Sequence, residues 1–321
     1  MNKKRKQIIA GNEISQIYTF SLGGVAQKVL IEGKKKDLPI VISLHGGPGT
    51  PIPLSVGCRG LFPEFTDRMI MVYWDQLGCG INDCKIGDKY DISSYVKMTI
   101  DLVKEVKKLF PNNKLILFGV SWGSVLAIKT VNEIPELIDS VVIYGQVIRN
   151  LFFNEGVLKV LEKSSIPKKK LVKAKQILNE GLKEDGLPFL TGCINKYTNG
   201  NQNKEGKQAP IGKIIMGLLT SPDYSFKDFK AIVVNGTAKS KLLWPELLAI
   251  DLTKELQEVK VPYYIVQGDT DIVTDTQVVE DVVKQSGNEY LHLNVIEKSG
   301  HIPGVAGMDA VLERILDICQ K

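Results

Sequence analysis

The sequence predicts an α/β protein: a mostly parallel, doubly wound sheet with an inserted helical cap. Three observations carry this. Short runs rich in Val and Ile recur along the chain and are apolar at nearly every position, as strands buried on both faces must be. Segments with helix-spaced apolar residues separate them, and parallel strands need such crossovers. One stretch of roughly 100 residues between two of the runs holds helical patterns and no strand, which is too long for a plain loop.

Taken in order, Ile17–Ser21 and Val25–Ile31 flank Gly23-Gly24 and read as an antiparallel hairpin. The runs Pro39–Leu44, Met69–Trp74, Lys114–Phe118, Ser140–Tyr144, Pro262–Val266 and Leu291–Ile296 follow as sheet strands. Tyr95–Phe110, Val125–Val131 and Thr276–Lys284 supply helices between them. From Ile148 to Asp251 the pattern changes to amphipathic helices at Val157–Leu161, Lys169–Gly181, Lys213–Leu219 and Leu243–Ile250. The polar run Asn195–Gln208 reads as a mobile loop within that region. The expected organisation is a core built from 1–147 and 252–321, with the cap at 148–251.

Composition removes several classes of function. Hydrophobic residues make up 44 % of the 321 and charged residues 24 %, so the chain is neither disordered nor extreme in charge. No run approaches the ~18 uncharged apolar residues of a membrane helix, so no membrane is expected as a partner. The 41 basic residues against 36 acidic ones leave only +5, too little to imply nucleic acid. Lys34–Lys36 and Lys168–Lys170 read as solvated faces. The five cysteines are odd in number and form no CxxC pair, which suits reduced thiols. Only Ile8-Ile9-Ala10 follows the basic start before Gly11, short of an export signal, so the expected compartment is cytoplasmic. Neither metal-ligand spacing nor a phosphate-binding glycine loop is present, and no cofactor is expected. The oligomeric state stays open.

The chemistry concentrates at strand ends. Lys114–Phe118 runs into Gly119-Val120-Ser121-Trp122-Gly123 and then a helix. A G-x-S-x-G turn between strand and helix projects its serine above the sheet on strained backbone, so Ser121 is the expected nucleophile. A serine hydroxyl needs a base, and the chain has three histidines. His292 lies inside a strand and His45 opens a glycine turn. His301 follows the last strand, at the carboxyl edge where α/β sites form, and is the expected base. Asp269 and Asp271 compete to orient it. Asp271 is preferred because Ile272-Val273 would anchor it on the sheet edge. The gap from Asp271 to His301 has room for one helix and one strand, and the gap from Ser121 to Asp271 holds the whole cap. That order of nucleophile, acid and base matches the topology.

Strand Pro39–Leu44 ends in His45-Gly46-Gly47-Pro48-Gly49, whose bare backbone suits N–H donation to a developing oxyanion. The expected donors are the N–H of Gly47 or Gly46 and that of Trp122. His45 reads as a holder of the turn, and Cys79 as a structural residue.

His45-Gly-Gly-Pro-Gly49, Trp74-Asp75-Gln76-Leu77-Gly78-Cys79-Gly80, Gly119-Val-Ser-Trp-Gly-Ser124 and Ser299-Gly300-His301 together resemble the proline iminopeptidase branch of the α/β-hydrolase superfamily. The likeness covers about 15–147 and 252–320. It implies the α/β-hydrolase fold and a cofactor-free serine hydrolase with a Ser-His-Asp triad and an acyl-enzyme, releasing N-terminal residues from short peptides. Relatives of that branch include esterases and amidases, so small esters or amides are the alternative substrates. An inactive fold used for binding is a second alternative. Three features depart from the branch: Leu77 stands for arginine, Asn82 for serine, and the segment Ile302-Pro-Gly-Val-Ala-Gly307 lacks an acidic residue. The branch holds the substrate ammonium with cap glutamates in a W-x-x-W-E segment. Its nearest analogue here is Glu246 in Leu243-Trp244-Pro245-Glu246, with Glu155 second; a solvated helix-end carboxylate is the other reading of either.

Overall fold

A computed structural model describes residues 3–87, 90–181, 183–233 and 240–320. Eight strands form one sheet: β1 (Ile14–Leu22), β2 (Val25–Gly33), β3 (Ile40–Leu44), β4 (Ile70–Tyr73), β5 (Leu115–Val120), β6 (Ser140–Tyr144), β7 (Tyr263–Gly268) and β8 (Leu291–Ile296). Their order across the sheet is β1-β2-β4-β3-β5-β6-β7-β8. β1 and β2 are an antiparallel hairpin, and β2 meets β4 antiparallel. Every pairing from β4 to β8 is parallel. This is the α/β-hydrolase architecture expected from the sequence, and β6 and β8 keep the predicted bounds.

The continuous apolar runs are explained by burial on two faces. Ile40, Ile42, Leu115 and Leu117 belong to one core cluster, while the alternating Val41, Ile116 and Phe118 belong to another. Helices α3 (Ile92–Leu109) and α4 (Trp122–Glu133) cover the first face, with α12 (Thr276–Ser286). α2 (Pro63–Thr66) and α13 (Val305–Gln320) cover the second. α3 starts three residues before the predicted Tyr95. Asp91 accepts the Ser94 backbone N–H at 2.8 Å in a capping box, a cap worth ~1 kcal/mol.

The region between β6 and β7 carries α5 (Glu155–Lys163), α6 (Lys168–Glu180), α7 (Leu187–Tyr197), α8 (Ile211–Leu219), α9 (Phe226–Val233) and α10 (Trp244–Leu248), and then α11 (Thr253–Gln257). Residues 182 and 234–239 of the expected cap lie outside the described residues. Among the described residues this region adds no ladder strand. Its ends meet: Arg149 and Asp251 form an isolated antiparallel bridge, and the Leu252 N–H donates to the Ile148 carbonyl at 3.0 Å.

One expectation changes, and one segment gains a structural role. The polar run Asn195–Gln208 begins inside α7, and from Thr198 onward it is pinned to the core rather than loose, with Asn203 4 % exposed. The basic start folds as α1 (Lys3–Gly11), which buries Arg5. That guanidinium donates to the carbonyls of Gly57, Arg59 and Gly217, stapling α8 to the core. Among the described residues no helix is long and apolar enough to cross a membrane. No disulfide joins the described cysteines.

Candidate active site

Ser121 sits between β5 and α4 with φ of 51°, a left-handed conformation that costs a non-glycine residue of order 1 kcal/mol or more. Packing enforces it. Gly123 lies so close to β3 that a Cβ there would come 2.0 Å from the Leu44 carbonyl oxygen, so only glycine lets α4 start this near the sheet. The Ser121 N–H is held by the Tyr144 carbonyl at 2.9 Å. The hydroxyl is thereby presented above the carboxyl ends of β5 and β6.

His301 reaches it from the loop after β8. Its Nε2 is 2.9 Å from the Ser121 Oγ, and its Nδ1 is 2.9 Å from Asp271 Oδ2. With the imidazole neutral, Nδ1–H donates to the carboxylate and Nε2 accepts from the hydroxyl. Asp271 is buried, yet none of its charge is left unmatched. Oδ1 accepts the N–H groups of Val273 and Thr274, and Oδ2 also accepts from the Thr274 hydroxyl and the Gln267 amide. Asp269, the competitor, accepts the Ser299 N–H at 2.9 Å and so braces the histidine loop from behind.

The glycine turn stands on the other side of Ser121. A Cβ on Gly46 would lie 3.5 Å from the Ser121 Cβ, and Gly46, Gly47 and Ser121 line the same cavity. Trp122 opens α4, so its N–H has no acceptor within the helix. His45 holds the turn. The Gln76 N–H donates to its Nε2 at 3.1 Å, so the ring hydrogen is on Nδ1 and points to the Gly46 carbonyl at 2.9 Å. Burial pushes this imidazole down to about 4, against the Gly46 hydrogen bond, and keeps it neutral. Gln76 is a residue the sequence reading passed over. Its side chain accepts the Trp122 indole N–H at 2.8 Å and donates to the His45 carbonyl at 3.3 Å, joining the turn to the residue after Ser121. Its neighbour in the Asp-Gln pair, Asp75, is fully buried and accepts from Val56, Ile81 and the Tyr224 hydroxyl. Burial pushes that carboxyl up to about 6.

Ser121 and His301 open on a cavity of about 730 Å3. Its wall is mainly apolar, with Phe62 and Phe65 from the core side and Leu151, Phe152, Trp244 and Ile214 from the helical region. The two glutamates offered by the sequence are not part of it. Glu246 accepts the Ile92 N–H at 2.9 Å, so it caps α3, a helix N-terminus that attracts a carboxylate. Glu155 is exposed and pairs with Lys159 at 3.1 Å. The carboxylates that do line the cavity are Glu64 and Asp309, both exposed. No pattern in the sequence pointed to either. Two departures from the family turn are absorbed by the fold: Leu77 is buried in the core, and Asn82 bonds the Lys28 backbone and the Asp75 carbonyl. Among the described residues no three His, Cys, Asp or Glu side chains gather as a metal site.

The sheet, the serine turn and the converging histidine define a hydrolase of the α/β type. Residues 39–305 match the model of the α/β-hydrolase fold family, and the chain belongs to that family. A probable aminopeptidase of Bacillus subtilis (strain 168), YbaC, is 23 % identical over 291 residues, covering 89 % of this chain and 90 % of its own. A proline iminopeptidase of Saccharolobus solfataricus is 25 % identical over 312 residues, covering 91 % and 87 %. Among solved structures, a proline iminopeptidase of Mycobacterium smegmatis superposes with a TM-score of 0.63 at 14 % identity, over 95 % of this chain and 98 % of that one.

Proposed function

We propose that this chain is a cofactor-free serine hydrolase that works through an acyl-enzyme at Ser121, of the aminopeptidase kind named among its relatives. The observation that carries the reading is the unbroken hydrogen-bond chain from Ser121 through His301 to Asp271 at the floor of a cavity. Ser121 Oγ attacks the substrate carbonyl carbon as its proton passes to His301 Nε2. Asp271 holds the imidazole in the right tautomer and stabilises the cation that forms. The oxyanion is met by the N–H of Trp122 and that of Gly46 or Gly47, each donor worth roughly 3 kcal/mol of barrier. His301 then protonates the leaving group. Water, deprotonated by the same nitrogen, releases the acyl group and restores Ser121.

In this reading 1–147 and 252–321 form the catalytic core, and 148–251 is a cap that roofs the cavity and selects substrates. The adjacent ends of that segment support treating it as an insertion. The substrate is a small molecule or short peptide, with no nucleic acid or membrane involved. An odd number of cysteines with no CxxC pair favours reduced thiols and so a cytoplasmic setting.

An esterase or amidase reading rests on a specific observation: Glu246 and Glu155 are engaged away from the cavity. Turnover of prolyl- and alanyl-β-naphthylamide against butyrate esters separates the two. Fluorophosphonate labelling tests the common mechanism. A Ser121 adduct, lost in Ser121→Ala, is expected; no adduct would leave a binding protein on a hydrolase scaffold.

A further inference from the structure

From the shape and lining of the cavity, and resting on the serine-hydrolase mechanism above while favouring its esterase or amidase alternative over the aminopeptidase one, we infer that the acyl group transferred at Ser121 is large, apolar and uncharged. The first ground is size. About 730 Å3 falls within the ~300–1,000 Å3 of sites that enclose drug-sized ligands, and it far exceeds what one prolyl residue fills. An undersized acyl group would leave apolar wall facing trapped water or empty space, losing contacts that a longer group makes.

The second ground is the wall. Aromatic and aliphatic side chains approach from the core and from the helical region alike, so a chain entering from Ser121 is enclosed on several sides. Each methylene moved from water onto such a surface strengthens binding about fourfold.

The third ground is charge. Among the described residues no Lys or Arg lines the cavity, so a substrate carboxylate would enter without a counter-ion. An aminoacyl substrate carries its ammonium on the carbon next to the reacting carbonyl, which brings that charge to Ser121. Glu246 is committed to α3 and Glu155 to Lys159. Glu64 and Asp309 do line the cavity, but as exposed, water-screened carboxylates. The apolar wall therefore outweighs them, and a neutral acyl group is favoured over its α-amino counterpart.

The experiment starts with fluorophosphonate labelling of Ser121 in the full chain, followed by p-nitrophenyl acetate, butyrate and octanoate. kcat/KM should rise at least tenfold from acetate to octanoate. Octanoyl p-nitroanilide should exceed 2-aminooctanoyl and prolyl p-nitroanilide by a similar factor. Ile211→Asp, which places a charge on the cavity wall at a partly exposed position, should cut the octanoate-to-acetate ratio at least tenfold. A labelled Ser121 with a flat or falling chain-length series, or with the aminoacyl anilides preferred, overturns this inference and leaves the hydrolase reading standing. An unlabelled Ser121 overturns both.

Discussion

The carbonyl of Gly200 accepts the backbone N–H of His301 at 3.0 Å. His301 is therefore held by the region between β6 and β7 and not only by the sheet. The next residues repeat the contact: Asn201 O accepts from Ile302 at 2.7 Å, and Lys207 O from Val305 at 2.8 Å. Asn203 donates to the Thr270 hydroxyl at 3.2 Å, and that hydroxyl lies 2.8 Å from the Ser299 carbonyl. One polar strap thus touches the residue before Asp271 and the loop that carries His301.

If the strap positions the histidine, Asn203→Ala and Thr270→Val should each lower kcat about tenfold, the equivalent of ~1.4 kcal/mol. KM should stay within about twofold. The rate of fluorophosphonate labelling should fall in parallel, Thr270→Ser should recover most of the loss, and the double variant should be little worse than either single one. A lowered melting temperature with unchanged kcat and labelling would mean that the strap only stabilises the fold.

Much of this was legible in the sequence because local pattern and chemistry agreed. Val41 and Ile42 face opposite sides of the sheet, so the run around them had to be apolar throughout. Ser121 lay between two glycines at a strand–helix junction, and few histidines competed for the base. The strap was not legible. Asn, Gly and Gln are the residues of a solvated loop, and only tertiary placement tells a carbonyl bonded to His301 from one bonded to water. Glu246 misled for the same reason: its partner, the Ile92 N–H, is far away in the chain and is exposed by a helix start. Arg5 gave no hint that three backbone carbonyls awaited it.

Asp271→Asn should leave the protein folded but nearly inactive. The amide keeps an oxygen for the Val273 and Thr274 N–H groups, but the group facing His301 Nδ1 then favours the wrong tautomer. A kcat lower by roughly 10³–10⁴-fold is expected with p-nitrophenyl butyrate. Ser121→Ala should remove turnover to the background rate. Asp269→Asn, which retains an acceptor for Ser299, should cost less than tenfold. Equal losses at Asp269 and Asp271 would refute the assignment of the acid.

His45 predicts acid sensitivity. Its folded value is lowered to about 4 from 6.5, so the folded state takes up fewer protons between those values than the unfolded chain does. The neutral ring's contribution is complete above pH 6.5 and drains away as the pH falls toward 4, about 3 kcal/mol in all. His45→Gln does not titrate. The stability of the native chain minus that of this variant, from urea midpoints, should therefore fall between pH 7 and pH 4. A constant difference would contradict the buried neutral imidazole.

Asp75 predicts a slope of the opposite sign. Its folded value is raised to about 6 from 3.8, so the folded state binds the extra proton in that interval. Its favourable contribution is complete below pH 3.8 and is lost as the pH rises through 6, again about 3 kcal/mol. Asp75→Asn is flat, so the native chain should lose ground to it between pH 4 and pH 7. Tyr224→Phe deletes a donor to the ionised form and so should enlarge that loss at pH 7 while changing little at pH 4. Because Tyr224 belongs to the region between β6 and β7, while Asp75 follows β4, the same variant also cuts a bond joining the two. If Tyr224→Phe destabilised equally at both pH values, the hydroxyl would be acting through packing rather than through the charge on Asp75.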